Sequence, residues 1–132
     1  MMEDLPIRAG DDVVRVRQQV RAVAAAAGMS LIDQTKAVTA ASELARNTLV
    51  HGGGGAARIE KVTSAAGRAG GRVAFEDAGP GIPDLDLALT DGWSTGTGMG
   101  LGLSGARRLV DEFSLTTETG SGTTVVMTKW AR

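Results

Sequence analysis

Apolar residues recur every three or four positions in two long segments of the chain, which is the spacing of a buried stripe along an α-helix. The first stripe consists of Val13, Val16, Val20, Val23 and Ala27. Asp11 and Asp12 precede it and are favourable N-cap residues, and Gly28 follows it as a C-terminal cap. The pattern predicts a helix from about residue 11 to residue 27.

A second helix is predicted from Ser30 to about His51. Ser30 and Asp33 resemble a capping box in which Asp replaces the usual Glu. The inner side of this helix is formed by Val38, Ala41, Leu44, Ala45, Thr48 and Leu49. The consecutive glycines at 52–55 end it, because glycine disfavours helix interiors.

Shorter runs of apolar and β-branched residues, bounded by turn residues, predict β-strands. They span residues 5–8, 57–64, 72–77, 113–119 and 123–130. Pro6 places the first run at a sheet edge or a strand start, since proline cannot donate a ladder hydrogen bond. The segment 65–71 predicts a hairpin loop, and Gly-Ser-Gly at 120–122 predicts a second turn.

The segment 78–100 is rich in Gly, Pro, Asp, Ser and Thr and contains a candidate helical turn at 84–89. A helical pattern resumes at about residue 99 or 100 and runs to Glu112. The order β-α-α-β-β-loop-α-β-β predicts an α+β fold, with a mixed β-sheet covered by helices on one face. The length of 132 residues corresponds to a single domain, 1–132.

Composition excludes several classes of site. The chain has no cysteine, which excludes disulfide scaffolds, thiolate zinc sites and cysteine nucleophiles, and its single histidine excludes a multi-histidine metal site. A net charge of −1 gives no basic footprint for nucleic acid. No run approaches the roughly 18 apolar residues of a membrane span, and the N-terminus does not resemble a signal peptide. We expect a cytoplasmic protein that binds neither nucleic acid nor membrane.

Glycines are concentrated at 79–81 and at 96–105, where GTGMGLGLSG leads directly into a predicted helix. Glycine-rich backbone can approach a phosphate closely, and a helix N-terminus offers free N–H groups. For this cluster alone, a flexible surface loop is an equally good interpretation. The cluster is not a Walker sequence, since no GK[ST] follows, and it is a poor dinucleotide fingerprint, since no clear strand ends just before it.

Three polar residues stand where a ligand could bind. Glu43 and Asn47 are four apart and share one helix face, where a carboxylate could accept a proton and an amide could ligate magnesium. Taken alone, this pair is better explained as a solvated polar face. Asp77 ends a strand whose inner face carries Val73 and Phe75, so it lies on the apolar side and needs a partner. The alternative for Asp77 is an ordinary strand-end turn.

The order of four motifs is more specific than any one of them. The chain contains E-x-x-x-N at 43–47, D-x-G-x-G-I at 77–82, G-x-G-x-G-L-G at 96–102 and G-x-G-T-T-V at 120–125. This series resembles the nucleotide-binding domain of the GHKL superfamily, which includes gyrase, Hsp90, histidine kinases and the bacterial anti-sigma-factor kinases. The resemblance implies a Bergerat-type two-layer sandwich that binds ATP and Mg²⁺.

The resemblance narrows further within that superfamily. The stretches ASELARNTLVHGG, EDAGPGIPDLDLALTDGWSTGTGMGLGLSGARRLVDEFSL and GSGTTVVMTKWAR look very like the RsbT-type serine/threonine kinases of the stressosome. The DEF sequence and the closing KW-x-R are the more specific marks. The family implies phosphorylation of a STAS-domain scaffold or antagonist protein (RsbS/RsbR-like), followed by activation of a PP2C-type phosphatase (RsbU-like) in stress signalling.

The resemblance also implies roles for individual residues. Glu43 would be the general base, Asn47 the magnesium ligand, and Asp77 the acceptor for the adenine amino group. Gly81 would close against the base, and Thr123 would hydrogen-bond adenine directly or through a water. Backbone N–H groups of the glycine loop would wrap the phosphates: Gly98, Gly100, Leu101, Gly102 and Leu103. The implied nucleotide-binding set is completed by Gly79, Ile82 and Gly96.

The chain departs from a common pattern at Val50, where many histidine kinases carry a basic residue. The phosphate charge would then be met by Arg46, Arg107 or Arg108, although an arginine pair on a helix is usually solvated. His51 lies near a helix end, where a cation suits the helix dipole, and we expect this role rather than a catalytic one. Trp93 and Trp130 are expected in packing or partner contacts.

Two other functions share the same ATP motifs. The first is an anti-sigma factor of the RsbW type, which holds a sigma factor and phosphorylates an anti-anti-sigma protein. The second is a non-enzymatic nucleotide-binding module, which has no chemical need for both Glu43 and Asn47. The KW-x-R ending and the block from 77 to 115 favour the stressosome kinase over the anti-sigma factor, and the presence of both Glu43 and Asn47 argues against the non-enzymatic module.

Overall fold

The computed structural model describes residues 2–81, 101–118 and 120–132. The strands are β1 (Met2–Ile7), β2 (Gly55–Thr63), β3 (Ala69–Asp77), β4 (Glu112–Glu118) and β5 (Gly122–Trp130). The helices within the described residues are α1 (Gly10–Ala26), α2 (Leu31–Val50) and α3 (Leu101–Leu109). The predicted helical turn at 84–89 lies outside the described residues.

Helix α1 begins slightly earlier than its acidic residues suggest. Asp11 and Asp12 were expected as N-caps, but the N-cap is Ala9 and both aspartates lie in the first turn. Asp12 instead reaches back, and its Oδ2 accepts hydrogen bonds from the backbone N–H of Arg8 at 2.8 Å and of Ala9 at 3.1 Å. A carboxylate in the first turn still accepts hydrogen bonds from free backbone N–H groups and complements the positive end of the helix dipole. The helix boundary therefore changes, but the stabilising role of the aspartates does not.

Glycine at position 28 makes the sharp connection between α1 and α2. Gly28 has φ of +84°, which residues with a side chain rarely adopt. The Gly28 N–H donates to the Ala25 carbonyl at 3.0 Å, and the Met29 N–H donates to the Ala24 carbonyl at 3.1 Å. This is a Schellman ending, as the predicted C-terminal cap requires. Only residues 27–30 therefore separate the two helices in the chain.

The predicted capping box at the start of α2 is half confirmed. The Ser30 hydroxyl accepts the Asp33 backbone N–H at 3.1 Å. The Asp33 carboxylate, however, faces Lys129 Nζ at 3.7 Å and Arg132 Nε at 3.8 Å instead of the cap backbone. A buried aspartate gains more from a cation than from one backbone N–H, because an unpaired buried charge is costly.

The expected mixed sheet is wrong. The strand order is β1-β2-β3-β5-β4, and the pairings between neighbouring described strands are all antiparallel. The crossover through α3 makes β3 and β4 parallel, but β5 lies between them, so they do not pair. The α1–α2 hairpin returns the chain to the end of the sheet at which β1 stops, so β2 runs antiparallel to β1. The expected edge position of the first strand is confirmed, because β1 ends the sheet.

Helix α3 ends sooner than its sequence pattern predicts. It stops at Leu109, and Glu112 opens β4 instead of closing the helix. The Asp111 N–H donates to the Thr128 carbonyl at 3.0 Å. This segment therefore pairs with the sheet instead of continuing the helix. The Trp130 indole N–H donates to the Glu112 carboxylate at 2.7 Å, which holds the end of the sheet together.

The core lies between the helices and one face of the sheet. The predicted α1 stripe is buried throughout, and Val16 is fully enclosed. On the sheet side, Ile59, Phe75 and Met127 are each 1% exposed. The residues beside them in the strands point to the other face, where Arg58 and Glu76 are exposed and Thr128 is buried. This alternation confirms the predicted two-layer α+β arrangement with helices on one face.

A cluster of charged side chains joins the start of α2 to the last residues of the chain. Lys129 is only 3% exposed, and its Nζ lies 3.7 Å from Asp33 and 3.5 Å from Asp111. Arg132 Nη2 contacts Asp111 Oδ1 at 2.6 Å. Trp130 donates its backbone N–H to the same carboxylate at 2.7 Å. The KW-x-R ending therefore links the start of α2 to the end of β5.

No helix in the described part of the chain is long and apolar enough to cross a membrane.

Candidate active site

A small pocket lies between the last turns of α2 and the inner face of the sheet, beside the start of α3. Its apolar lining comes from Leu44, Phe75, Leu103 and Val125. Its polar lining comes from Asn47, Thr48, His51, Asp77 and Thr123. The fold thus brings together four of the residues that the motifs singled out, although they come from four separate parts of the sequence: Asn47, Asp77, Leu103 and Thr123. The free space between these residues is about 30 Å³.

One face of α2 supplies three polar groups to this region. Glu43, Asn47 and His51 are spaced four residues apart, so they follow one another along a single face. The Nδ2 of Asn47 and the Nε2 of His51 are both buried without a hydrogen-bond partner. Buried polar groups in native proteins nearly always have hydrogen-bond partners. The two orphaned nitrogens therefore indicate that the pocket is built for a polar ligand.

Glu43 stands at the outer end of this face. Its side chain is 38% exposed, and its Oε1 lies 3.2 Å from Arg46 Nη1. The carboxylate is thus accessible to an incoming molecule, and the guanidinium of Arg46 is its neighbouring cation. Arg46, one of the arginines considered for phosphate, is placed beside the candidate base.

Asp77 is held at the inner end of the pocket by its own turn. As the last residue of β3, it pairs with Thr123 of β5. Its Oδ1 accepts the Gly79 backbone N–H at 2.9 Å, as the strand-end alternative anticipated. That bond occupies one oxygen only, so the turn fixes the carboxylate and leaves acceptor capacity for a ligand. The Thr123 hydroxyl lies 3.0 Å from that of Thr117, which orients it on the neighbouring strand.

Glycines let the surrounding backbone close around Asp77. A Cβ added to Gly52 would lie 2.5 Å from Asp77 Oδ2 and 2.6 Å from its Cβ. A Cβ on Gly79 would lie 2.7 Å from the Gly52 carbonyl oxygen. Gly122 has φ of +102°, and a Cβ there would overlap the Asp77 carbonyl. These positions can hold only glycine without moving Asp77 or the backbone beside it.

Sequence reasoning missed two members of the site. His51 is the C-cap of α2, as its expected helix-end position requires, but its ring also lines the pocket. Gly52 was considered only as part of the run that ends the helix. A usable signal was present, because His51 lies one further helical turn along the face that carries Glu43 and Asn47.

The start of α3 lies at the predicted phosphate loop. The described part of this helix begins at Leu101, so the positive end of the helix dipole lies on the side of the predicted phosphate loop. Leu103 is 5% exposed and lines the pocket, and Gly81 before the loop is buried with φ of +79°. Several predicted residues lie outside the described part of the chain: Ile82, Trp93, Gly96, Gly98 and Gly100.

Two of the arginines considered for phosphate lie at the end of α3 that is farther from the predicted phosphate loop. Arg107 and Arg108 are in its last turn, about 10 Å along the axis from the first residue. Both are exposed. At that end of the helix they complement the negative pole of its dipole, not a phosphate at the positive pole.

The donor set fits magnesium shared with a phosphate ligand. Within residues 2–81, 101–118 and 120–132, no cluster of three or more acidic or histidine side chains could hold a metal alone. Magnesium commonly keeps waters and takes few protein ligands when substrate phosphates supply the rest. Asn47 has an unpaired amide end in the pocket, and rotation of the amide can present its oxygen instead.

Comparison with known proteins agrees with this geometry. Residues 32–131 match the family model described as histidine kinase-, DNA gyrase B- and HSP90-like ATPase. The chain belongs to this family. It is also 46% identical over 121 residues to the serine/threonine-protein kinase RsbT of Bacillus subtilis (strain 168), covering 92% of this chain and 90% of that protein. The resemblance to RsbT-type kinases is thereby confirmed.

A solved structure supports the fold. The RsbU and RsbW domains of a Mycobacterium tuberculosis protein align with a TM-score of 0.65 and 21% identity. The alignment covers all of this chain and 33% of that one, so this RsbT-type chain spans about a third of its length. At this identity the likeness concerns the fold alone, and it confirms the GHKL-type architecture.

Proposed function

We propose that this RsbT-type kinase transfers the γ-phosphate of ATP to a serine or threonine of a STAS-domain scaffold or antagonist protein. We further propose that, after this step, it activates a PP2C-type phosphatase and so acts as a partner switch in cytoplasmic stress signalling. The observation that carries the proposal is the pocket that unites Asn47, with its orphaned amide, and Asp77. The likeness to the Bacillus subtilis serine/threonine-protein kinase supplies the class of reaction.

The pocket supports one orientation for ATP. Its apolar lining and the fixed Asp77 carboxylate suit adenine, whose amino group would donate to the oxygen that the Gly79 bond leaves available. Gly81 and Thr123 complete this end. The phosphates would then lie toward the first turn of α3, where the positive end of the helix dipole favours anions.

Asn47 would hold Mg²⁺, which when bound supplies neutralisation of phosphate charge. The residue stands four positions from Glu43 on the same face of α2, so a metal-bound phosphate and the candidate base would be neighbours. Glu43 would accept the proton of the attacking hydroxyl. Because phosphoryl transfer depends mainly on alignment and charge neutralisation, a rigid helix carrying both groups is well suited to it.

Partner access supports a protein substrate. Glu43 is 38% exposed and therefore reachable from outside, while Asp77 at the other end is held among buried groups. A serine on another protein could approach the outer end of the site while the adenine end stays enclosed. This division suits a kinase that acts on a folded partner.

The test is phosphotransfer from Mg–[γ-³²P]ATP to a STAS-domain protein of the same organism. Glu43→Gln should retain ATP affinity and lose about 10² to 10⁴ in transfer rate, the usual range for a general base. Glu3→Gln, which changes an exposed glutamate in β1 at the sheet edge, is the matched control and should transfer normally. Full activity of Glu43→Gln would contradict the base role.

A second arm addresses the anti-sigma factor alternative. Each partner is incubated with the kinase and then recovered by affinity capture. Retention of the STAS-domain protein or of the phosphatase supports the proposal. Retention of a sigma factor, with no label on the STAS-domain protein, would assign the RsbW-type function instead. Binding of ATP with neither label nor partner would indicate a non-enzymatic module.

A further inference from the structure

We propose that His51 binds the nucleoside half of ATP through its Nε2 atom. The inference rests on the proposed nucleotide site and adds a binding residue to it. His51 lines the same pocket as Asn47 and Asp77. It is also the only histidine in the chain, which makes its contribution directly observable.

One nitrogen of the His51 ring lacks a hydrogen-bond partner. Nε2 of His51 is buried and has no hydrogen-bond partner. A buried polar atom without a partner destabilises the folded chain, and native structures rarely retain one without a use. A ligand that offers a partner to Nε2 removes this cost at the moment of binding.

The position of His51 along α2 also favours the nucleoside end of the site. Each four-residue step advances about 6 Å along the helix axis, so Glu43, Asn47 and His51 mark three successive levels of the site. The outer level serves the attacking hydroxyl and the middle level serves the metal and the phosphates. The third level lies about 6 Å further on, in the direction of the nucleoside.

The residues around the His51 ring suit a nucleoside. The residue that follows His51 is Gly52, whose Cα packs directly against the Asp77 carboxylate. His51 therefore stands beside the proposed adenine acceptor. The pocket also has apolar walls, which include Leu44 and Phe75, each 1% exposed. An apolar wall suits an uncharged base and sugar, whereas a triphosphate would lose its hydration there without compensation.

Chemistry agrees with this assignment. A neutral imidazole offers one donor and one acceptor nitrogen, depending on the tautomer. A nucleoside carries ring nitrogens that accept and ribose hydroxyls that donate and accept. Either tautomer of His51 can therefore find a partner on the nucleoside without a change of charge.

The test uses untagged protein labelled with ¹³C-histidine, whose spectrum contains the ring signals of His51 alone. Adenosine, AMP, ADP and Mg–ATP are titrated in turn. We expect adenosine at saturation to shift the His51 ring signal nearly as much as ATP does. His51→Phe keeps a ring without the nitrogen, and it should weaken adenosine, ADP and ATP by one common factor of about tenfold. His51→Gln, which keeps a polar end, should recover part of the loss.

Three results overturn the inference while leaving the proposed function intact. One is an unmoved His51 signal when ATP is shown to bind by calorimetry. Another is unchanged affinity in a folded His51→Phe variant, and the third is a loss that grows with the number of phosphates. Failure of the proposed function looks different, because wild-type protein would then bind none of these nucleotides. Thermal melting of each variant confirms that it is folded.

Discussion

Replacing Gly52 with alanine tests whether the placement of Asp77 determines nucleotide affinity. The added methyl carbon would lie 2.6 Å from Asp77 Cβ and 2.5 Å from its Oδ2. Carbon atoms in normal contact are about 3.5 to 4.0 Å apart, so Asp77 or the backbone at Gly52 must move by about 1 Å. A shift of that size takes the carboxylate out of hydrogen-bond range of a base seated in the pocket.

The magnitude follows from the bond that is lost. A hydrogen bond to a charged group contributes about 1.5 to 3 kcal/mol, so ATP affinity should fall about 10- to 100-fold. The side chain of Asp77 can rotate more cheaply than the backbone can move, which limits the effect on folding. We therefore expect a large loss of binding with a small loss of thermal stability.

Isothermal titration calorimetry with Mg–ATP measures the change, and Gly105→Ala is the matched control. A Cβ on Gly105 meets no atom within 4 Å, and this glycine lies inside α3. That substitution should leave ATP affinity unchanged and raise stability by about 0.5 to 1 kcal/mol, because alanine favours the helix. Normal ATP affinity in folded Gly52→Ala protein would refute the claim that Asp77 is held in place by this contact.

Three further substitutions test other parts of the account. Asn47→Ala should abolish the magnesium dependence of ATP binding, measured by titration with and without EDTA; an undiminished magnesium effect would contradict the assignment. Ser30→Ala removes the cap bond to the Asp33 N–H and should cost about 1 kcal/mol in denaturant unfolding; no loss would show that the cap is not needed. The backbone hydrogen bond from Arg8 holds the pKa of Asp12 below its ordinary value of 3.8. Its stabilising effect is therefore present above that pH and lost as pH falls through the lowered pKa, so Asp12→Ala should lower the melting temperature more at pH 7 than at pH 2.

The helical layer could be predicted from local pattern. The valine stripe of α1, the glycine that ends it and the serine that caps α2 are all short-range features, and each is found in the structure. Strand existence was predicted for the same reason. Strand order was not, because the insertion of β5 between β3 and β4 depends on long-range packing that period-two patterns do not record. The expectation of a mixed sheet failed at this point.

The site was predictable where a motif carried it. Asn47, Asp77 and Thr123 were identified from motif order, and the fold places them around one pocket. Gly52 was not, because a run of glycines after a helix gives no indication of what it packs against. His51 was assigned only to the helix end, although it continues the face that carries Glu43 and Asn47. Only the fold shows that this run lies on the end of β3, where space for a side chain is taken by Asp77.

Discrimination between ATP and GTP tests most directly whether the pocket is an adenine site. The Asp77 carboxylate can accept from the adenine amino group, whereas guanine presents a carbonyl oxygen at that position and would face a second acceptor. Calorimetry should show ATP binding at least about tenfold more tightly than GTP, and the ratio should fall toward one in Asp77→Asn, whose amide can serve either base. Equal affinities in the wild-type protein, or an ATP preference unchanged by Asp77→Asn, would contradict the account.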